Sequence, residues 1–570
     1  MRERIAAVLR RLGLDQYAHR GWQVVRTSFD ATDRALNTAL REDYQRAGGA
    51  FRRMSEGAPT GDPDRRALFV CSMTTAFGRK LEGVLSLVTR LAGLTPHFLE
   101  LGHDPWGPRY HGLFGPMPHH YLRRFQLAKK PPPDAPGVSE FERLGRSVQE
   151  LIALSYRRVD IGRVALSNCL TRNKFNRLDI EASETRQEIG ADLRRAQHNV
   201  RAAEALLDEM RPSVLLLLEK GLSPAAEVVG VALARDIPVI QYVGSQRMDS
   251  YVFKRFRYEG RHQHPFSLSP KSWSRARTIG WDERQDAALM QDLAESYVSG
   301  TWFNRKFLHQ GKSIKGSDVV RKQLDLDPRK KTATVFSHVL WDATFFYGEG
   351  LFDDYETWLC ETVKAACANP RLNWIIKLHP DLVWKLQHER FSGELRDVLA
   401  MRSAVGALPP HVKIVLPDTD ISTYSFFPLT DYCVTVRGTI GIEMACHGVP
   451  VVTAGTGRYS GLGFTIDSVS AADYLSRLAS LEKQPPLGAE RTRLAQQFAH
   501  TLFNLRPWRA TTFEMVKMAI EDVVHPLATN LEPRVSTFTE FEAARDTQQL
   551  ATWIASDEAD YLDIEASGAG

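Results

Sequence analysis

Residues 431–467 constrain the fold more than any other segment, because their pattern is typical of a β-α-β unit. The run at 432–436 is apolar and rich in β-branched residues, which predicts a buried strand. The turn Arg437-Gly438-Thr439 follows without a spacer, and residues 440–447 have the pattern of a helix that Gly448 ends. A second apolar strand comes next. The unit therefore places a small cationic turn at the carboxyl end of a strand.

The composition of this turn indicates a phosphate-binding site. Backbone N–H groups at a helix N-terminus can bind an anion, and the helix dipole favours negative charge there. Arg437 adds a permanent charge and a forked set of donors that suit a phosphate. Glu443 lies one helical turn beyond Thr439, where its carboxylate could accept hydrogen bonds from the hydroxyls of a ribose. We therefore expect a pocket for a nucleoside monophosphate or diphosphate.

A second cationic group follows another predicted strand of the same region. Lys377, His379 and Pro380 come at the end of the apolar run NWIIK, so they should lie at the same edge of the sheet as Arg437. A single His-Pro pair is a weak signal. Its combination with the cationic turn is stronger, because the two groups could bind one phosphate from two sides. Two further candidates follow a third strand of this half, namely Ser337 and His338.

The same strand-helix-strand pattern recurs along the chain, which at 570 residues is too long for a single core. We expect an α/β fold with two Rossmann-like, doubly wound domains that face a crevice, and with helical extensions at both ends. The expected boundaries are 1–60 for the N-terminal extension, 61–315 and 325–525 for the two domains, and 530–570 for an acidic, loosely held C-terminal tail. Ligands of such sheets bind at the carboxyl ends of the strands, facing the crevice.

Charge and cysteine content exclude several classes of protein. The net charge of +5 is small for this length, and no basic stripe with interleaved aromatic residues is present, so we expect no nucleic-acid partner. The six cysteines form no CxxC pair, which is typical of buried thiols in a reducing cytoplasm. No apolar stretch approaches the roughly twenty residues that span a bilayer. We expect a cytoplasmic protein. The basic pattern at residues 1–14 leaves two alternatives open, a peripheral contact with the inner face of the cytoplasmic membrane or a helix packed on the domain.

The segments KLHP, DYCVTVRGTIGIEMACHGVPVV and VFSHVLWDATFF resemble the capsule polysaccharide biosynthesis family of bacterial glycosyltransferases, which is related to sialic-acid and Kdo transferases. The resemblance implies a GT-B-type fold, with 61–315 as the acceptor-side domain and 325–525 as the nucleotide-sugar-binding domain. Many relatives carry Ser-Ser or Ser-Thr at the cationic turn, and this difference leaves the base of the nucleotide open. The resemblance also implies that the donor nucleotide and its phosphate are bound by His379, Pro380, Arg437, Gly438 and Thr439.

The implied activity is transfer of a sugar from a nucleotide-sugar donor to a growing surface polysaccharide, capsular or extracellular, or to its lipid-linked acceptor. The cationic residues would stabilise the leaving phosphate, so we expect no metal and no cofactor beyond the donor itself. An inverting transfer also needs a general base. Glu219 ends an apolar run in the acceptor-side domain and is the first candidate, although it could instead cap the next helix or pair with Lys220. Asp342, in the nucleotide half, is an alternative base or a ribose contact.

Two further groups have a composition that metal sites share, and we favour other roles for both. His262 and His264 lie in GRHQHP without a carboxylate or cysteine at ligand spacing, so a solvated loop is expected. Asp418 and Asp420 have the DxD form that metal-dependent transferases of another fold use. Asp420 is instead expected to cap the helix that begins near residue 421.

Two other functions fit the same pattern. A sugar-nucleotide 2-epimerase has this two-domain architecture and would need a similar nucleotide pocket, so the fold alone does not exclude it. A non-catalytic partner in polysaccharide assembly or export could also retain the fold, although the intact pocket residues argue against it. Incubation with the donor alone separates an epimerase from a transferase, because only the epimerase forms a new nucleotide sugar without an acceptor.

Overall fold

The computed structural model describes residues 31–102, 105–129, 147–174, 177–247, 250–298, 302, 311–383, 394–517 and 527–565. The chain forms two compact units. Unit 1 consists of Met1–Arg124 and Ala510–Asp557, and unit 2 consists of Phe125–Arg509 and Glu558–Gly570. The basic pattern at residues 1–14 lies outside the described residues, and the domain boundaries expected from the sequence stay a prediction.

Parallel strands and helices occur in both units, which confirms the expected α/β class. The described strands, in chain order, are β1 Asp62–Cys71, β2 Leu94–Glu100, β3 His119–Tyr121, β4 Pro212–Leu217, β5 Val239–Gly244, β6 Ser250–Phe256, β7 Thr332–Phe336, β8 Asn373–Lys377, β9 Val412–Val415, β10 Tyr432–Thr435, β11 Val451–Thr453, β12 Ile466–Asp467, β13 Pro507–Arg509, β14 Phe513–Lys517 and β15 Thr529–Pro533.

The described α-helices of unit 1 are Ala31–Ser55, Ala76–Leu91, Gly107–His111, Phe538–Ala543 and Arg545–Ala555. Those of unit 2 are Val148–Ile152, Ile161–Asn173, Ser183–Met210, Ala225–Ala234, Pro270–Arg277, Glu283–Val298, Ser317–Gln323, Tyr355–Ala368, Arg396–Val405, Ile440–Cys446, Ala471–Ala479 and Ala489–His500. Short 3-10 helices occur at Gly112–Phe114, Leu122–Phe125, Tyr258–Gly260, Thr423–Leu429 and Leu481–Lys483, and a π-helix at Thr501–Leu505. In the part of the chain that the structure describes, no helix combines the length and the apolar character needed to cross a bilayer.

In unit 1, the strands β1, β2 and β3 are parallel neighbours in that order. Phe69 of β1 stacks on Phe98 of β2, with their ring centroids 5.0 Å apart. The helix Ala76–Leu91 follows β1 and begins at Thr75, whose hydroxyl accepts a hydrogen bond from the backbone N–H of Gly78 at 3.1 Å. Because β1 and β2 run in the same direction, their carboxyl ends lie at one edge of this sheet.

The acidic segment after residue 530 is not a loosely held tail, and this expectation was wrong. It contains the end of β15 and two helices, in which Phe541 and Leu550 are fully buried. Further along, Asp560 is buried in an ion pair with Arg506 inside unit 2. The segment also has apolar side chains at helical spacing, which its many acidic residues made easy to overlook. These apolar side chains are buried where the helices pack.

The C-terminal sheet of unit 2 has only parallel pairs among its described strands, in the order β9-β8-β7-β10-β11-β12. Counted along the chain, this is the order 3-2-1-4-5-6 of a Rossmann sheet. The direction of the order changes between β7 and β10, which pair with Val335 opposite Val434. Ligands of open α/β sheets bind at such a switch point, outside the carboxyl ends of the strands. The helix predicted from about residue 355 to 368 is confirmed as Tyr355–Ala368.

The remaining strands of unit 2 are β4, β5, β6 and β13. The pair β4 and β5 is parallel as expected, whereas β6 is antiparallel to both β5 and β13. The sequence did not predict β6, because Lys254 and Arg255 interrupt its apolar pattern. Both residues are nevertheless buried, and the ammonium of Lys254 lies 2.9 Å from the carboxylate of Asp560. Lys254 can thus occupy a position in β6 that is usually apolar, because Asp560, distant in the chain, neutralises its charge.

Candidate functional site

The switch point of the Rossmann sheet brings together the loops that follow β7 and β10. His338, just after β7, accepts a hydrogen bond through Nε2 from the backbone N–H of Arg437 at 3.4 Å, and the hydroxyl of Thr435 lies 3.3 Å from the same nitrogen. The imidazole stacks on Tyr355 with ring centroids 4.9 Å apart. Burial, together with the charges of His379 and Arg437, lowers the pKa of His338 well below its usual value. His338 is therefore a neutral acceptor that holds the cationic turn in place.

Arg437 is buried, with spare hydrogen-bond donors. Its Nη1 donates to the carbonyl of Tyr347 at 2.7 Å, whereas its Nε and Nη2 are buried and make no hydrogen bond within the described part of the chain. Two glycines make room for it. A Cβ at Gly457 would lie 2.7 Å from the Cβ of Arg437, and Gly348 combines a φ of +113° with a Cβ position 3.1 Å from Nη1 of Arg437. The guanidinium is therefore held by backbone while two of its nitrogens remain available to a ligand.

Arg458, in the glycine-rich turn after β11, is a second arginine at this edge; it is half-buried, and we did not predict it as a site residue. It donates to the hydroxyl of Thr439 at 2.6 Å, and its Nη2 lies 3.1 Å from Nε2 of His264. Burial is the main cause that lowers the pKa of Arg458 to about 10, so the side chain stays cationic at neutral pH. The signal was present in the sequence, because the segment GTGR follows an apolar strand just as Arg437-Gly438-Thr439 does.

His264 does not belong to a solvated loop, and this expectation was wrong. The side chain is buried, and burial together with Arg458 and Arg437 lowers its pKa well below the usual value. It is therefore neutral and accepts a hydrogen bond from Arg458. The partner lies 194 residues away in the chain, so the polar composition of GRHQHP could not reveal it.

His262 is half-buried and contacts two carboxylates. Its Nε2 lies 2.7 Å from Asp160, and its Nδ1 lies 3.3 Å from Glu349, which also pairs with Arg163 at 2.7 Å. Burial alone would lower the pKa of His262, but its hydrogen bonds to Asp160 and Glu349 outweigh this effect and raise the pKa. The same contact to His262 is the main cause that lowers the pKa of Glu349 to about 2. His262 is thus not on the solvated loop that we expected, but in a charged cluster with Asp160, Glu349 and Arg163.

Lys377, His379 and Pro380 follow β8, the neighbour of β7. Lys377 is buried, and burial with a smaller contribution from Lys312 lowers its pKa to about 7. His379 and Pro380 are half-buried, and Nδ1 of His379 accepts a hydrogen bond from the backbone N–H of Asp381 at 3.2 Å. Since the charge of His379 acts on His338, the structure brings these groups to the same edge as Arg437. Their role in binding a donor stays a prediction.

The other residues of the cationic turn also make internal contacts. The carbonyl of Gly438 accepts a hydrogen bond from the hydroxyl of Tyr459 at 2.9 Å, and Thr439 accepts the bond from Arg458. Glu443 is buried in the helix Ile440–Cys446, and its carboxylate accepts a hydrogen bond from the hydroxyl of Tyr297 at 2.6 Å. A ribose contact by Glu443 stays a prediction.

Glu219 lies beyond the end of β4 and contacts the C-terminal half of unit 2. Both of its carboxylate oxygens lie 3.2 Å from the hydroxyl of Tyr347, and one accepts a hydrogen bond from the backbone N–H of Gly221 at 2.8 Å. Gln241 at β5 donates to the same tyrosine hydroxyl at 2.9 Å. Burial raises the pKa of Glu219, although the bonds from Gly221 and Tyr347 oppose the rise. A half-buried carboxyl with a raised pKa has the properties of a general base.

Of the two alternatives for Glu219, the helix cap does not match its contacts, whereas the charges of Glu219 and Lys220 do act on each other. The helix Ala225–Ala234 begins after Pro224 and has no side-chain cap, so Glu219 does not cap it. Lys220 directs its ammonium to the carbonyls of Arg261 and Gln263. Asp342, the other candidate base, is exposed in the loop after β7.

The expected helix cap at Asp420 is wrong. Ser422 caps the 3-10 helix Thr423–Leu429, because its hydroxyl accepts a hydrogen bond from the backbone N–H of Tyr424. Asp420 instead pairs with Lys315, and the ammonium of Lys312 donates to the carbonyl of Thr419 at 2.7 Å. Two lysines therefore contact the DxD segment, whose aspartates are exposed, and the absence of a metal role for it stays a prediction.

No family model matches the chain, and no curated protein matches it. Among solved structures, the β-Kdo 2,4 transferase KpsC of Thermosulfurimonas dismutans matches with a TM-score of 0.31 and 15% identity, over 58% of this chain and 87% of that chain. A UDP-GlcNAc 2-epimerase from Neisseria meningitidis bound to UDP-GlcNAc matches with a TM-score of 0.25 and 10% identity, over 76% and 94%. The spinosyn rhamnosyltransferase SpnG matches with a TM-score of 0.25 and 11% identity, over 76% and 96%. Likenesses of this size carry no argument for an activity, which has to rest on the geometry of the site.

Proposed function

We propose that the protein is an inverting glycosyltransferase that uses a nucleotide-sugar donor. The observation that carries the proposal is the buried guanidinium of Arg437 at the Rossmann switch point, where Nε and Nη2 make no hydrogen bond within the described residues. A buried cation with unused donors is unfavourable until an anion satisfies it. A phosphate supplies the charge and several acceptor oxygens at once.

The neighbouring groups suit the phosphates of such a donor. Arg458 adds a second permanent charge, and its Nε is also buried without a hydrogen bond within the described residues. Lys377, whose pKa is about 7, gains its proton when an anion binds nearby. His379 is the further donor in this proposal. Gly438 and Thr439 shape the turn, Pro380 fixes the backbone after His379, and Glu443 contacts the ribose.

The transfer step follows from this arrangement. The acceptor hydroxyl attacks the anomeric carbon of the donor sugar, and the bond from that carbon to the phosphate oxygen breaks. Arg437, Arg458 and His379 stabilise the negative charge that develops on the leaving phosphate. The proton of the attacking hydroxyl passes to Glu219, whose raised pKa suits a base at neutral pH. Asp342 contacts the donor in this scheme rather than taking the proton.

The acceptor in the proposal is a growing surface polysaccharide, capsular or extracellular, or its lipid-linked precursor, met at the inner face of the cytoplasmic membrane. No metal ion is required for the chemistry, because permanent cations occupy the position that a metal would take beside the leaving phosphate. The donor is a co-substrate, and no other cofactor is included.

Titration of the full-length protein with CMP, UDP and GDP tests the nucleotide site. We expect one of them to bind and the Arg437→Ala variant to bind it more weakly. Arg477→Ala is the matched control, because Arg477 pairs with Asp473 on the helix Ala471–Ala479 and should leave binding unchanged. No binding of any nucleotide by the wild-type protein contradicts the proposal. Incubation with the matching nucleotide sugar alone should leave it intact, whereas formation of a new nucleotide sugar would show an epimerase.

A further inference from the structure

Five side chains of metal-binding types converge in unit 1, among residues that the proposed function does not use. Cys71 ends β1, Glu100 ends β2 and His119 begins β3. His111 ends a short helix, and Glu82 lies on the helix that follows β1. The parallel direction of β1 and β2 places their carboxyl ends at one edge, which is where the ligand sites of parallel sheets lie.

Glu100, His111 and His119 form the tighter set. Nδ1 of His119 lies 3.0 Å from Oε1 of Glu100, and Nδ1 of His111 lies 3.4 Å from the same oxygen. One ligand atom from each of the three lies within 4.8 Å of the others. His111 is fully buried, and the side chain of Glu100 is 7% exposed. Two imidazoles and one carboxylate that meet in this way are a ligand set used for Zn²⁺ and Fe²⁺.

The second ring nitrogen of His111 is already held. Its Nε2 lies 3.1 Å from a carboxylate oxygen of Glu82, with which it forms a hydrogen bond. A carboxylate that accepts from one nitrogen fixes the tautomer in which the other nitrogen carries a lone pair, as in the outer shell of metal-bound histidines. Nδ1 of His111 is buried and makes no hydrogen bond within the described residues, although it faces Glu100. A lone pair that faces a carboxylate oxygen in a buried place is repelled unless a proton or a metal cation lies between the two.

The position of the Glu100 carboxylate depends on a glycine. A Cβ at Gly107 would lie 2.9 Å from Oε2 of Glu100 and 3.1 Å from its Oε1. The carboxylate therefore occupies space that any other residue at position 107 would take. A larger residue at position 107 would therefore displace the carboxylate from its place near His111.

We propose that Glu100, His111 and His119 bind a divalent transition-metal ion, and that Glu82 is a positioning residue for His111. The ion would connect the last residue of β2 and the first residue of β3 with the helix Gly107–His111, and thereby stabilise unit 1. The competing ligand set is Cys71, Glu82 and His111, on the other side of the imidazole. The proposal is independent of the nucleotide site in unit 2.

Zn²⁺ binding to the full-length protein tests the proposal. The protein is stripped with EDTA, dialysed, and titrated with Zn²⁺, while bound zinc is measured by mass spectrometry and stability by thermal unfolding. We expect one Zn²⁺ per chain and a higher Tm in its presence. His119→Asn should abolish stoichiometric binding and the rise in Tm, whereas His198→Asn, at a half-buried position of the helix Ser183–Met210 in unit 2, should keep both. Equal zinc content in the wild type and His119→Asn overturns the proposal.

Two further measurements assign the ligands. Glu82→Gln should weaken Zn²⁺ binding by roughly 10–100-fold, as outer-shell changes do, and unchanged affinity contradicts the positioning role. Co²⁺ in place of Zn²⁺ should show weak visible bands without the intense near-ultraviolet band of a thiolate ligand. Cys71→Ser should keep the metal. A thiolate band, or loss of metal in Cys71→Ser, assigns the ion to the competing set and overturns this one.

Discussion

Unit 2 buries arginines in two different ways. Arg506 is completely enclosed, and its two terminal nitrogens donate to Asp560 at 2.8 Å and to the carbonyls of Ser267, Pro265 and Phe253. Lys254 completes the group, with its ammonium 2.9 Å from Asp560. The Nε of Arg506 also makes no hydrogen bond within the described residues, but the charges of Arg506 and Lys254 are opposed by the carboxylate of Asp560.

Arg437 lacks such a set of partners. It has one hydrogen bond to a backbone carbonyl, and Arg458 beside it contacts a hydroxyl and a neutral imidazole. No carboxylate is bonded to either guanidinium among the described residues. The presence or absence of an opposing carboxylate thus distinguishes an arginine that stabilises the fold from one that can bind an anionic ligand. This distinction rests on the contacts alone and not on comparison with other proteins. Mutations in the two groups should accordingly change different measured quantities.

The largest effect is expected for Glu219→Gln, which should lower kcat by about 10²–10⁴-fold while donor affinity stays nearly unchanged. The pKa of Glu219 is raised, so wild-type activity should increase with pH as this carboxyl loses its proton, and the variant should lose that acid limb. The free energy of unfolding should not fall, because the variant removes an unfavourable buried charge. Steady-state kinetics across pH, with urea unfolding of the same samples, measures both quantities.

Asp342→Asn is the matched comparison for the base. It should act mainly on donor binding, since Asp342 is exposed in the nucleotide half, whereas Glu219 is half-buried and contacts Tyr347. An active Glu219→Gln variant, together with an Asp342→Asn variant that is inactive at saturating donor, would transfer the role of base to Asp342.

The second largest effect is expected for Asp560→Ala, which should lower the free energy of unfolding by about 3–5 kcal/mol. It leaves Arg506 and Lys254 buried without their carboxylate. The pKa of Asp560 is strongly lowered in the folded protein, so its contribution is present at neutral pH and is lost as the pH falls from the usual pKa of an aspartate towards that low value. Urea unfolding checks the change. Asp208→Ala, which breaks an exposed pair with Arg235, is the control and should cost less than about 1 kcal/mol.

Arg437→Ala and His379→Ala should each weaken donor binding by about 1.5–3 kcal/mol, the range for a hydrogen bond to a charged group. Arg437→Lys should restore binding only in part, because the forked donors are lost. Neither alanine variant should destabilise the fold as Asp560→Ala does. If both keep wild-type affinity and turnover, or if Arg437→Ala unfolds the protein, the contrast between the two arginines does not hold.

The smallest effect is expected for metal removal. Transfer activity in EDTA should equal the activity without it, at a temperature well below unfolding, and added Mg²⁺ or Mn²⁺ should not increase it. The reason is that Arg437 and Arg458 supply fixed positive charge to the leaving phosphate. A complete loss of activity in EDTA that Mg²⁺ or Mn²⁺ reverses would make Asp418 and Asp420 candidate ligands again.

The parts of the fold that follow from local pattern could be predicted from the sequence. Uninterrupted apolar runs predicted β7, β8 and β10, and periodic apolar residues predicted the helix Tyr355–Ala368. The strand β6 was missed because its charged residues are neutralised by Asp560, which is 306 residues from Lys254 in the chain. A helical extension after residue 530 was expected, but its packing was missed because the acidic composition was taken as a sign of loose attachment.

In the candidate site, too, local patterns could be predicted from the sequence and long-range contacts could not. Position at a strand end was enough to select Arg437 and His379 as candidates, and the structure places them at one edge of the Rossmann sheet. The contact of Glu219 with Tyr347 spans 128 residues of sequence, and that of His264 with Arg458 spans 194. Such contacts depend on how distant segments meet in the fold, and no local pattern encodes them.

The discontinuity of unit 1 has a consequence for how the protein is made. Lys80 is buried between Asp43, 2.9 Å away in the first part of the unit, and Asn530, 2.7 Å away in the second part. A ribosome completes the first part long before residue 530 emerges, because the main segment of unit 2 lies between them in the chain. Lys80 therefore has no contact with Asn530 until most of the chain has been translated. The same holds for the side chains of unit 1 that pack against its second part. During this interval unit 1 is incomplete, and the apolar surface that it exposes can aggregate.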